Sequence, residues 1–571
     1  MESTPDRIPA PPERRPSRRT TARFGTLRTI TLVCSALVLA LAGCSDSSTG
    51  IPGPRPITSP TAQVASSPHG MVASASPLAT EVGARVLARG GTAVDAAVAT
   101  AFALAVVEPT MSGLGGRGSI VIRDAAGNTH GIDGLNRVPT NFTGGAPPGY
   151  NQAAVPGVPA ALARALAEHG SWSLAEVLAP AIELAEEGFP MPPGEAARLA
   201  SARGDLLQHE ASRRAFLRPD GTAYAAGDHF VQPEMARALR AMAEGGIDVF
   251  YHGWIADSIH ADMVLNGGFI TREELAAYEA LDAIPAIGSY RGRQIVSNFR
   301  PASGHAVVLA LHLLEEFPVP PRTDPAGWGA LVGEAMRIAI ADRNRSFGTA
   351  EQSAGVLTSR DWARTRAADM APGATGAPVA ALAGTGTDDL FGGDLESTTH
   401  LSVADAQGRA VAITQSIGPS AGTRLAASGV GFLYATRLGS TPGSRPSSTI
   451  SPTLVLDAEG RVELALGGAG DSRIISAVIQ SISRVLDHGM SLEQAVAAPR
   501  LHPLGGSELR LEGALWPQAL RDALGARGFE VSTAASTWFG RVHAVSFDLE
   551  RGRWTGVADP RRDGGVSGPD G

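Results

Sequence analysis

The sequence predicts an α+β fold in which helices and a largely antiparallel sheet share one core. Apolar residues recur at helical spacing early in the chain and through most of its middle. From residue 398 onward the pattern changes to the alternation of β-strands, beginning with two runs joined by a short turn. Helices and strands are thus partly separated along the chain, while each needs the other to cover its apolar face.

The composition is that of a large globular protein. The chain has 571 residues, 43% of them hydrophobic, which is enough to bury a sizeable core. Acidic and basic side chains are interspersed, and the formal net charge is −8. The sequence offers no basic stripe to a phosphate backbone, which argues against nucleic acid as a partner.

The N-terminal residues, 1–44, are typical of an export signal. Several arginines precede an apolar run, Ile30–Ala42, that is short for a membrane span. The run ends in L-A-G-C, whose last residue is Cys44. This end is similar to a bacterial lipobox, in which the cysteine is lipidated and becomes the mature N-terminus. We expect an exported protein, anchored by lipid to a membrane at its periplasmic or extracellular face; an ordinary signal peptide with a chance cysteine is the alternative.

The segment 45–68 is rich in Ser, Pro, Thr and Gly, as a flexible tether between membrane and domain would be. Folded structure is predicted to begin near His69. Cys34 leaves with the signal and Cys44 is acylated, so we expect no internal disulfide in the mature protein.

Helical patterns occupy 77–107, and the second of them is alanine-rich and apolar on all sides, which predicts a buried helix. A glycine-rich loop, Met111 to Ser119, follows and leads into a strand. Its spacing fits neither the Walker A nor the dinucleotide pattern. A tight turn that brings backbone close to a small ligand is therefore favoured over a phosphate cradle.

The middle of the chain, 151–384, is predicted to be mostly helical. Within it, the small and unpatterned segment 371–389 predicts an exposed linker. Beyond the linker we predict a helix at 474–487 and strands at 400–405, 409–416, 453–457, 461–468, 509–513 and 543–548.

The stretch D-L-E-S-T-T-H places Thr398 between this linker and the first strand. A threonine hydroxyl is a poor nucleophile without a base, and one available base is its own α-amine, freed when the preceding peptide bond is cut. That amine has a pKa of about 7.7–8.0, close to operating pH. A threonine before a strand is more often an ordinary sheet residue, so this motif alone does not decide between the two interpretations.

Further motifs resemble those of the gamma-glutamyltransferase family of self-processing N-terminal nucleophile hydrolases, from about Gly70 to Pro560. In chain order they are G-G-T-A-V-D-A-A-V-A, V-P-G-V-P-A-A-L, L-A-P-A-I-E-L-A-E-E-G-F-P, G-G-F-I-T-R-E-E-L-A-A-Y, S-Y-R-G, T-T-H-L-S-V-A-D, S-S-T-I-S-P, G-A-G-D-S-R-I-I and A-D-P-R. The resemblance implies an αββα sandwich and cleavage between Ser397 and Thr398. It also implies a heterodimer made from one chain, with a large subunit (69–397) and a small subunit (398–571).

The resemblance also implies the catalytic residues. Thr398 would be the nucleophile in both self-cleavage and catalysis. Ser416 falls where the family usually has a threonine whose hydroxyl supports the nucleophile. Gly470 and Asp471 fall where a glycine pair offers backbone N–H groups to the oxyanion. Asp471 keeps the N–H but adds a charge, which would slow acyl transfer unless the side chain points away or pairs with Arg473.

Substrate recognition departs from the family's pattern. Ser447 and Ser448 match a serine pair that binds the substrate's α-carboxylate. The family's clamping arginine is replaced by Leu135, and Arg137 lies two residues later. Arg137 either takes over the clamp or is a surface arginine.

Two further departures concern the family's polar anchors. Gly418 replaces an asparagine, and Leu438 lies near the place of the acid that holds the γ-glutamyl amine. The chemistry is therefore expected to be intact and the recognition changed.

We expect a threonine hydrolase that forms an acyl-enzyme at Thr398 and acts by default on glutathione or other γ-glutamyl amides. Alternatives are an amidohydrolase with another acyl substrate, such as poly-γ-glutamate or an acylated β-lactam, and a catalytically weak binding lipoprotein. No cofactor is implied. The residues His305, His400 and His502 lack metal-ligand spacing, so no metal is implied either and structural roles are predicted for them.

Overall fold

Two stacked β-sheets form the centre of the protein, with helices packed on both outer faces. The computed structural model describes residues 62–144, 149–370 and 398–570. This αββα arrangement confirms the predicted α+β class. The export signal, Cys44, the linker 371–389 and Ser397 lie outside the described residues, so the statements about them stay predictions.

Each of the two sheets has seven strands, and neighbouring strands within them are antiparallel. Numbered along the chain and given in spatial order, the first sheet consists of β1 (Gln63–Ser67), β18 (Arg553–Ala558), β17 (Arg541–Asp548), β13 (Val462–Ala469), β12 (Thr453–Leu456), β9 (Arg293–Asn298) and β8 (Pro285–Tyr290). The second consists of β19 (Gly565–Ser567), β2 (Gly70–Ser74), β10 (Thr399–Asp405), β11 (Ala410–Ser416), β3 (Arg117–Arg123), β4 (Thr129–Gly134) and β7 (Leu281–Asp282). Smaller sheets pair β14 (Leu501–Gly505), β15 (Glu508–Glu512) and β16 (Glu530–Ala534), and β5 (Phe189–Pro190) with β6 (His229–Phe230).

Helices cover the outer face of each sheet. The second sheet and its apolar cluster are covered by α1 (Pro77–Ala88), α2 (Ala93–Val107), α3 (Val158–His169), α4 (Leu174–Glu187), α5 (Pro193–Leu206), α6 (Glu210–Phe216), α7 (Pro233–Gly245), α8 (Asp248–Tyr251), α9 (Trp254–Asn266) and α10 (Arg272–Ala276). The first sheet's side carries α11 (Gly304–Glu315), α12 (Pro325–Asp342), α13 (Ala350–Leu357), α14 (Arg360–Ala367), α15 (Arg473–His488), α16 (Leu492–Ala497) and α17 (Gln518–Gly525).

Helix α2 shows how the sequence produces this packing. Thr92 and Asp95 form a capping box that satisfies two backbone N–H groups at its start. All 15 residues of the helix are buried, as its uniform apolarity predicts. Burial of a side chain such as Phe102 stabilises the fold by roughly 1.5–3 kcal/mol relative to exposure. The helix packs on β10 and β11. Thr398, the predicted nucleophile, directly precedes β10.

A buried apolar layer separates the sheets, and the predicted structural role of His400 is confirmed there. A Cβ atom on Gly467 of β13 would lie 2.4 Å from the His400 ring of β10, so only glycine fits opposite it. The ring's Nδ1 and Nε2 lie 2.8 Å from Thr414 Oγ1 and 3.0 Å from Ser402 Oγ. Burial lowers the pKa of His400 well below its usual value, so the ring is neutral.

Two local predictions differ from the structure. Strand β1 lies inside the tether predicted over 45–68, so the fold begins before His69; β1 is an exposed edge strand that pairs with β18, and its polar sequence hides this. Strands β8 and β9 form a hairpin within the mostly helical middle. Arg291 and Gly292 join them at φ values of 50° and 77°, the conformation of a two-residue turn that matches strand twist.

Candidate active site

Thr398 lies at the start of β10 in a strained conformation. It is 3% exposed, and its φ of 82° is unusual for a β-branched residue. Its Oγ1 donates a hydrogen bond to Ser416 Oγ at 3.0 Å. The structure therefore brings together the predicted nucleophile and the hydroxyl predicted to support it.

Ser416 ends β11, the neighbour of β10. Thr399 pairs with Gln415, so the same register, continued by one residue, places Thr398 opposite Ser416. The Ser416 Oγ also accepts a hydrogen bond from the backbone N–H of Gly418, at 3.0 Å. These two bonds hold the serine hydroxyl beside the hydroxyl of the nucleophile.

A buried ion network that sequence reasoning missed supports the nucleophile from behind. Arg562 donates to the Thr398 carbonyl at 3.1 Å and to Glu108 at 2.6 Å. Glu108 also accepts from the Thr399 hydroxyl at 2.7 Å. Burial raises the pKa of Glu108, while Arg562 and Arg198 oppose the rise. The network ties the backbone of the nucleophile to α2's C-terminal end.

The predicted oxyanion pair forms a turn between β13 and α15. Gly470 has φ 126° and Asp471 has φ 55°, both in the region that glycine favours. Asp471 tolerates it because aspartate is among the few side chains that visit left-handed backbone. His400, near the start of β10, faces Gly467, near the end of β13. The start of β10 and the end of β13 therefore lie at the same end of the two stacked sheets. The turn that follows β13 is at this end, as is Thr398.

The Asp471 carboxylate has a partner that the sequence did not suggest. Its Oδ1 accepts a hydrogen bond from Thr449 Oγ1 at 3.2 Å. Arg473 donates from Nε to the Gly470 carbonyl at 2.7 Å, and its guanidinium covers the Trp538 ring. Thr449 therefore orients the added charge and connects this turn to the predicted serine pair.

The serine pair immediately precedes Thr449. Ser448 is held through its backbone, because its N–H donates to the Pro301 carbonyl at 2.7 Å and its carbonyl accepts from Ser303. The Ser447 Oγ is buried and, among the described residues, has no hydrogen-bond partner. Such an unpaired hydroxyl suits ligand binding, since an orphaned buried polar group is otherwise unfavourable.

Arg137 is bound to Glu274 and to the Ala277 backbone. Its Nη2 lies 3.1 Å from Glu274 Oε2 and 2.9 Å from the Glu274 carbonyl, and Nη1 donates to the Ala277 carbonyl. The side chain is 17% exposed. It is therefore not a free surface arginine, and binding a substrate carboxylate would require it to leave Glu274. Leu135 is buried in the apolar cluster on the first sheet's side.

Arg117, at the end of the glycine-rich loop, is a further site residue that the sequence did not reveal. It pairs with Ser416 across β3 and β11, and by continuation of the ladder it lies opposite Leu135, which directly follows β4. Thr398, Ser416, Arg117 and Leu135 thus form one row across four strands. The guanidinium donates to the Thr436 carbonyl at 2.7 Å. Burial lowers the pKa of Arg117 to about 10, against the attraction of Asp471, so it stays charged at neutral pH.

Among the described residues we find no cluster of three or more His, Cys, Asp and Glu side chains suited to a metal ion. Within the same ranges, no helix has the length and apolarity to cross a bilayer. The glycine-rich loop makes the predicted tight turn, with the Gly116 N–H bonded to the Gly113 carbonyl. A Cβ atom on Gly115 would lie 2.2 Å from the Leu433 carbonyl oxygen, which explains the need for glycine there.

The family model for gamma-glutamyltranspeptidase matches residues 79–568. The chain belongs to the gamma-glutamyltranspeptidase family. It is 32% identical to the glutathione hydrolase proenzyme of Escherichia coli strain K12, over 86% of this chain and 90% of that protein. It is 35% identical to the acylase ACY 1 proenzyme of Pseudomonas sp. strain SE83, over 88% of this chain and 93% of that protein.

A solved relative has the same architecture. The crystal structure of cephalosporin acylase from Bacillus halodurans matches with a TM-score of 0.79 at 28% identity, covering 92% of this chain and 99% of that chain. Membership of the gamma-glutamyltranspeptidase family confirms the predicted family, the N-terminal nucleophile hydrolase fold and the prediction of an enzyme. The proenzyme names of its relatives agree with large and small subunits derived from one chain.

Proposed function

We propose that the protein is a self-processing amide hydrolase that forms an acyl-enzyme at Thr398 and passes the acyl group to water or an amine. Glutathione and other γ-glutamyl amides are the default substrates, in keeping with its glutathione hydrolase relatives. The observation that carries the proposal is the 3.0 Å hydrogen bond between Thr398 and Ser416 at a strained, buried strand start. Backbone strain of this kind concentrates at functional sites.

The chemistry follows from this placement. The freed α-amine of Thr398 takes the hydroxyl proton as Oγ1 bonds to the amide carbon. The proton then passes to the leaving nitrogen as the carbon–nitrogen bond breaks, which leaves an ester on the threonine. Water attacks that ester and releases the acid. The N–H groups of Gly470 and Asp471 would stabilise the oxyanion, a contribution of about 3–4 kcal/mol per donor in other enzymes.

A second candidate is an amidohydrolase of the same family with a different acyl group, such as poly-γ-glutamate or an acylated β-lactam. The altered anchors favour it: Leu135 replaces the clamping arginine and Leu438 the acid for the substrate amine. The acylases among its relatives are consistent with it. Both candidates use the same nucleophile, so substrate preference separates them.

Purified, self-cleaved protein should release the amine from γ-glutamyl anilide and hydrolyse glutathione at measurable rates, while a Thr398→Ala variant should release none. A panel of poly-γ-glutamate and acylated β-lactams, measured by product mass, ranks the alternatives. Activity on the β-lactam amides alone would replace the first candidate with the second. Cut protein with no activity on any amide would contradict both and favour a binding lipoprotein.

We also propose export and lipid anchoring at Cys44, supported by the arginine-rich start, the apolar run and the L-A-G-C end. A Cys44→Ala variant expressed in a bacterial host should move from the membrane fraction to the soluble exported fraction, because the fatty acyl chains hold the protein at the bilayer. Fractionation with an antibody against the small subunit measures this. Wild-type protein in the soluble fraction would contradict the proposal.

A further inference from the structure

We propose that Arg117 binds a carboxylate at the far end of the substrate's acyl group, and that the preferred substrates are amides of ω-carboxyacyl groups with or without an α-amine. The γ-glutamyl group belongs to this class, and so does the glutaryl group, which has the same five-carbon chain and no amine. This inference rests on the acyl-enzyme chemistry proposed above. Arg117 would thus supply, from β3, the positive charge that is missing at Leu135, directly after β4.

The strand register places Arg117 in line with the nucleophile. Residues paired across antiparallel strands project to the same face, so Arg117 and Ser416 share the face that holds Thr398. Arg117 lies two strand spacings, about 10 Å, from the nucleophile's backbone. The four bonds of an extended five-carbon chain span about 5 Å. A carboxylate at the end of such an ester therefore lies within reach of the Arg117 side chain.

Gly418 provides the space for this guanidinium. A Cβ atom at position 418 would lie 3.3 Å from Arg117 Nη2 and 3.1 Å from the Thr436 Cβ. The glycine also has φ 95°, which L side chains rarely adopt. A side chain at 418, such as the asparagine of the family pattern, would crowd the guanidinium and force it to shift. The two departures from the family, Gly418 and the loss of arginine at 135, thus have one explanation.

Buried donors without partners indicate where the carboxylate would sit. Arg117 is 3% exposed and Asn136 is 1% exposed. Within the described ranges, Arg117 Nε and Asn136 Nδ2 have no hydrogen-bond acceptor. Asp471 is the carboxylate whose charge attracts Arg117. The Asn136 Oδ1 accepts weakly from Arg117 Nη1 at 3.4 Å, so the two side chains are adjacent.

The serine pair approaches the same end of β4. Arg445 donates to the Asp133 carbonyl and lies 3.0 Å from its carboxylate, which brings the segment before Ser447 to that strand. Ser447 adds its own unpaired hydroxyl. A planar carboxylate would satisfy such donors together, and arginine's fork matches its two oxygens. An acyl group without a charge would leave them unpaired, which disfavours its binding.

The experiment uses four p-nitroanilides that differ only in the end of a five-carbon acyl chain. The γ-glutamyl anilide has a carboxylate and an ammonium, the glutaryl anilide only a carboxylate, the 5-aminopentanoyl anilide only an ammonium, and the pentanoyl anilide neither. Each is measured with wild type, Arg117→Leu, Arg117→Lys and Arg137→Leu, all self-cleaved. We expect wild type to prefer the two carboxylate substrates.

In Arg117→Leu, kcat/KM should fall about 100-fold for the carboxylate substrates and change less than about threefold for the other two, because a charged hydrogen bond is lost only in the first pair. In Arg117→Lys, kcat/KM for the carboxylate substrates should fall less, because lysine keeps the positive charge and loses only the two-pronged hydrogen bonding of the guanidinium. Equal losses on all four anilides would overturn the proposal and assign Arg117 to folding or to balancing Asp471. A carboxylate-selective loss in Arg137→Leu instead would move the clamp to Arg137.

The Arg117→Lys variant and the binding of glutarate test the role of Arg117 when the first comparison cannot be made. If Arg117→Leu is not self-cleaved, Arg117→Lys alone carries the test, and an equal loss on all four substrates overturns the inference. If wild type cleaves none of the four anilides, calorimetric binding of glutarate still tests Arg117, and the proposed hydrolase function fails only if poly-γ-glutamate and the β-lactam amides are also left uncut. Glutarate binding that is lost in Arg117→Leu supports the carboxylate site; absence of binding to wild type overturns it.

Discussion

A Thr398→Ala variant, produced from Ser45 onward, will stay one uncut chain, whereas the wild type will separate into two fragments that meet between Ser397 and Thr398. Self-cleavage needs the Thr398 oxygen to attack the carbonyl carbon before it, which moves the peptide bond to an ester that water then hydrolyses. Alanine has no such oxygen. Intact mass of the two purified proteins measures the result.

Thr398→Ser is the matched control. It keeps the hydroxyl and removes only a methyl group, so it should still be cut, at a changed rate. Ser416→Ala should also be cut, but more slowly, because the nucleophile loses the acceptor 3.0 Å away. Cleavage of the alanine variant at the same bond would remove Thr398 from the mechanism. An uncut wild type would show that the strained strand start is not a processing site.

The local parts of this site were predictable from the sequence. The resemblance to the family's motifs predicted both Thr398, in T-T-H-L-S-V-A-D, and Ser416, in A-I-T-Q-S; the linker before the first strand suggested Thr398 but did not decide it. A hairpin brings the ends of two successive strands together, so sequence order alone predicts their proximity. The same reasoning predicted α15 to within one residue at each end.

The parts that depend on distant pairing were not predictable. Arg562 touches the Thr398 carbonyl from 164 residues away, and no periodic pattern marks either residue. Arg117 stands alone in a glycine-rich loop, and only the register of β3 with β11 shows that it faces the nucleophile. Single arginines carry no positional signal in a sequence. The exposed edge strand β1 was not predicted for a related reason, because its polar residues are as typical of a tether as of a strand.

The C-terminal A-D-P-R motif holds a buried network of ion pairs. Asp559 is fully buried and accepts from Arg500 at 2.6 Å, from Arg561 at 3.1 Å and from the Val542 N–H at 2.8 Å. Arg561 also pairs with Glu512 at 2.6 Å. An Asp559→Ala variant leaves Arg500 buried without its main charge partner. We expect the free energy of unfolding to fall by about 3–5 kcal/mol, as when one member of a buried ion pair is removed.

Urea denaturation followed by tryptophan fluorescence measures this loss as a lower midpoint, on the uncut Thr398→Ala background so that only one polypeptide chain unfolds. Asp361→Ala is the control, because its pair with Arg364 is exposed and surface pairs contribute little. Equal denaturation midpoints for both variants would show that the buried network does not stabilise the fold.

Asp559 also gives this stability a pH dependence. Burial alone would raise the pKa of Asp559, but Arg500, Arg561 and two backbone N–H groups lower it to about 2. The carboxylate is therefore ionised in the folded protein at a pH where the unfolded chain, with a pKa of about 3.9, already binds a proton. Its contribution is fully present above about pH 4 and is lost as the pH falls toward 2.

The same network bears on catalysis through one packing contact. Arg500 donates to the Gly540 carbonyl, and Gly540 lies against Gly470 of the predicted oxyanion turn, 3.0 Å from where a Cβ atom would be. When Asp559 is removed, Arg500 loses the partner that aims it at Gly540. The Asp559→Ala change, made alone in self-cleaving protein, should therefore lower kcat more than it raises KM, because an oxyanion donor acts in the transition state. A rise in KM at constant kcat would place the effect in substrate binding instead.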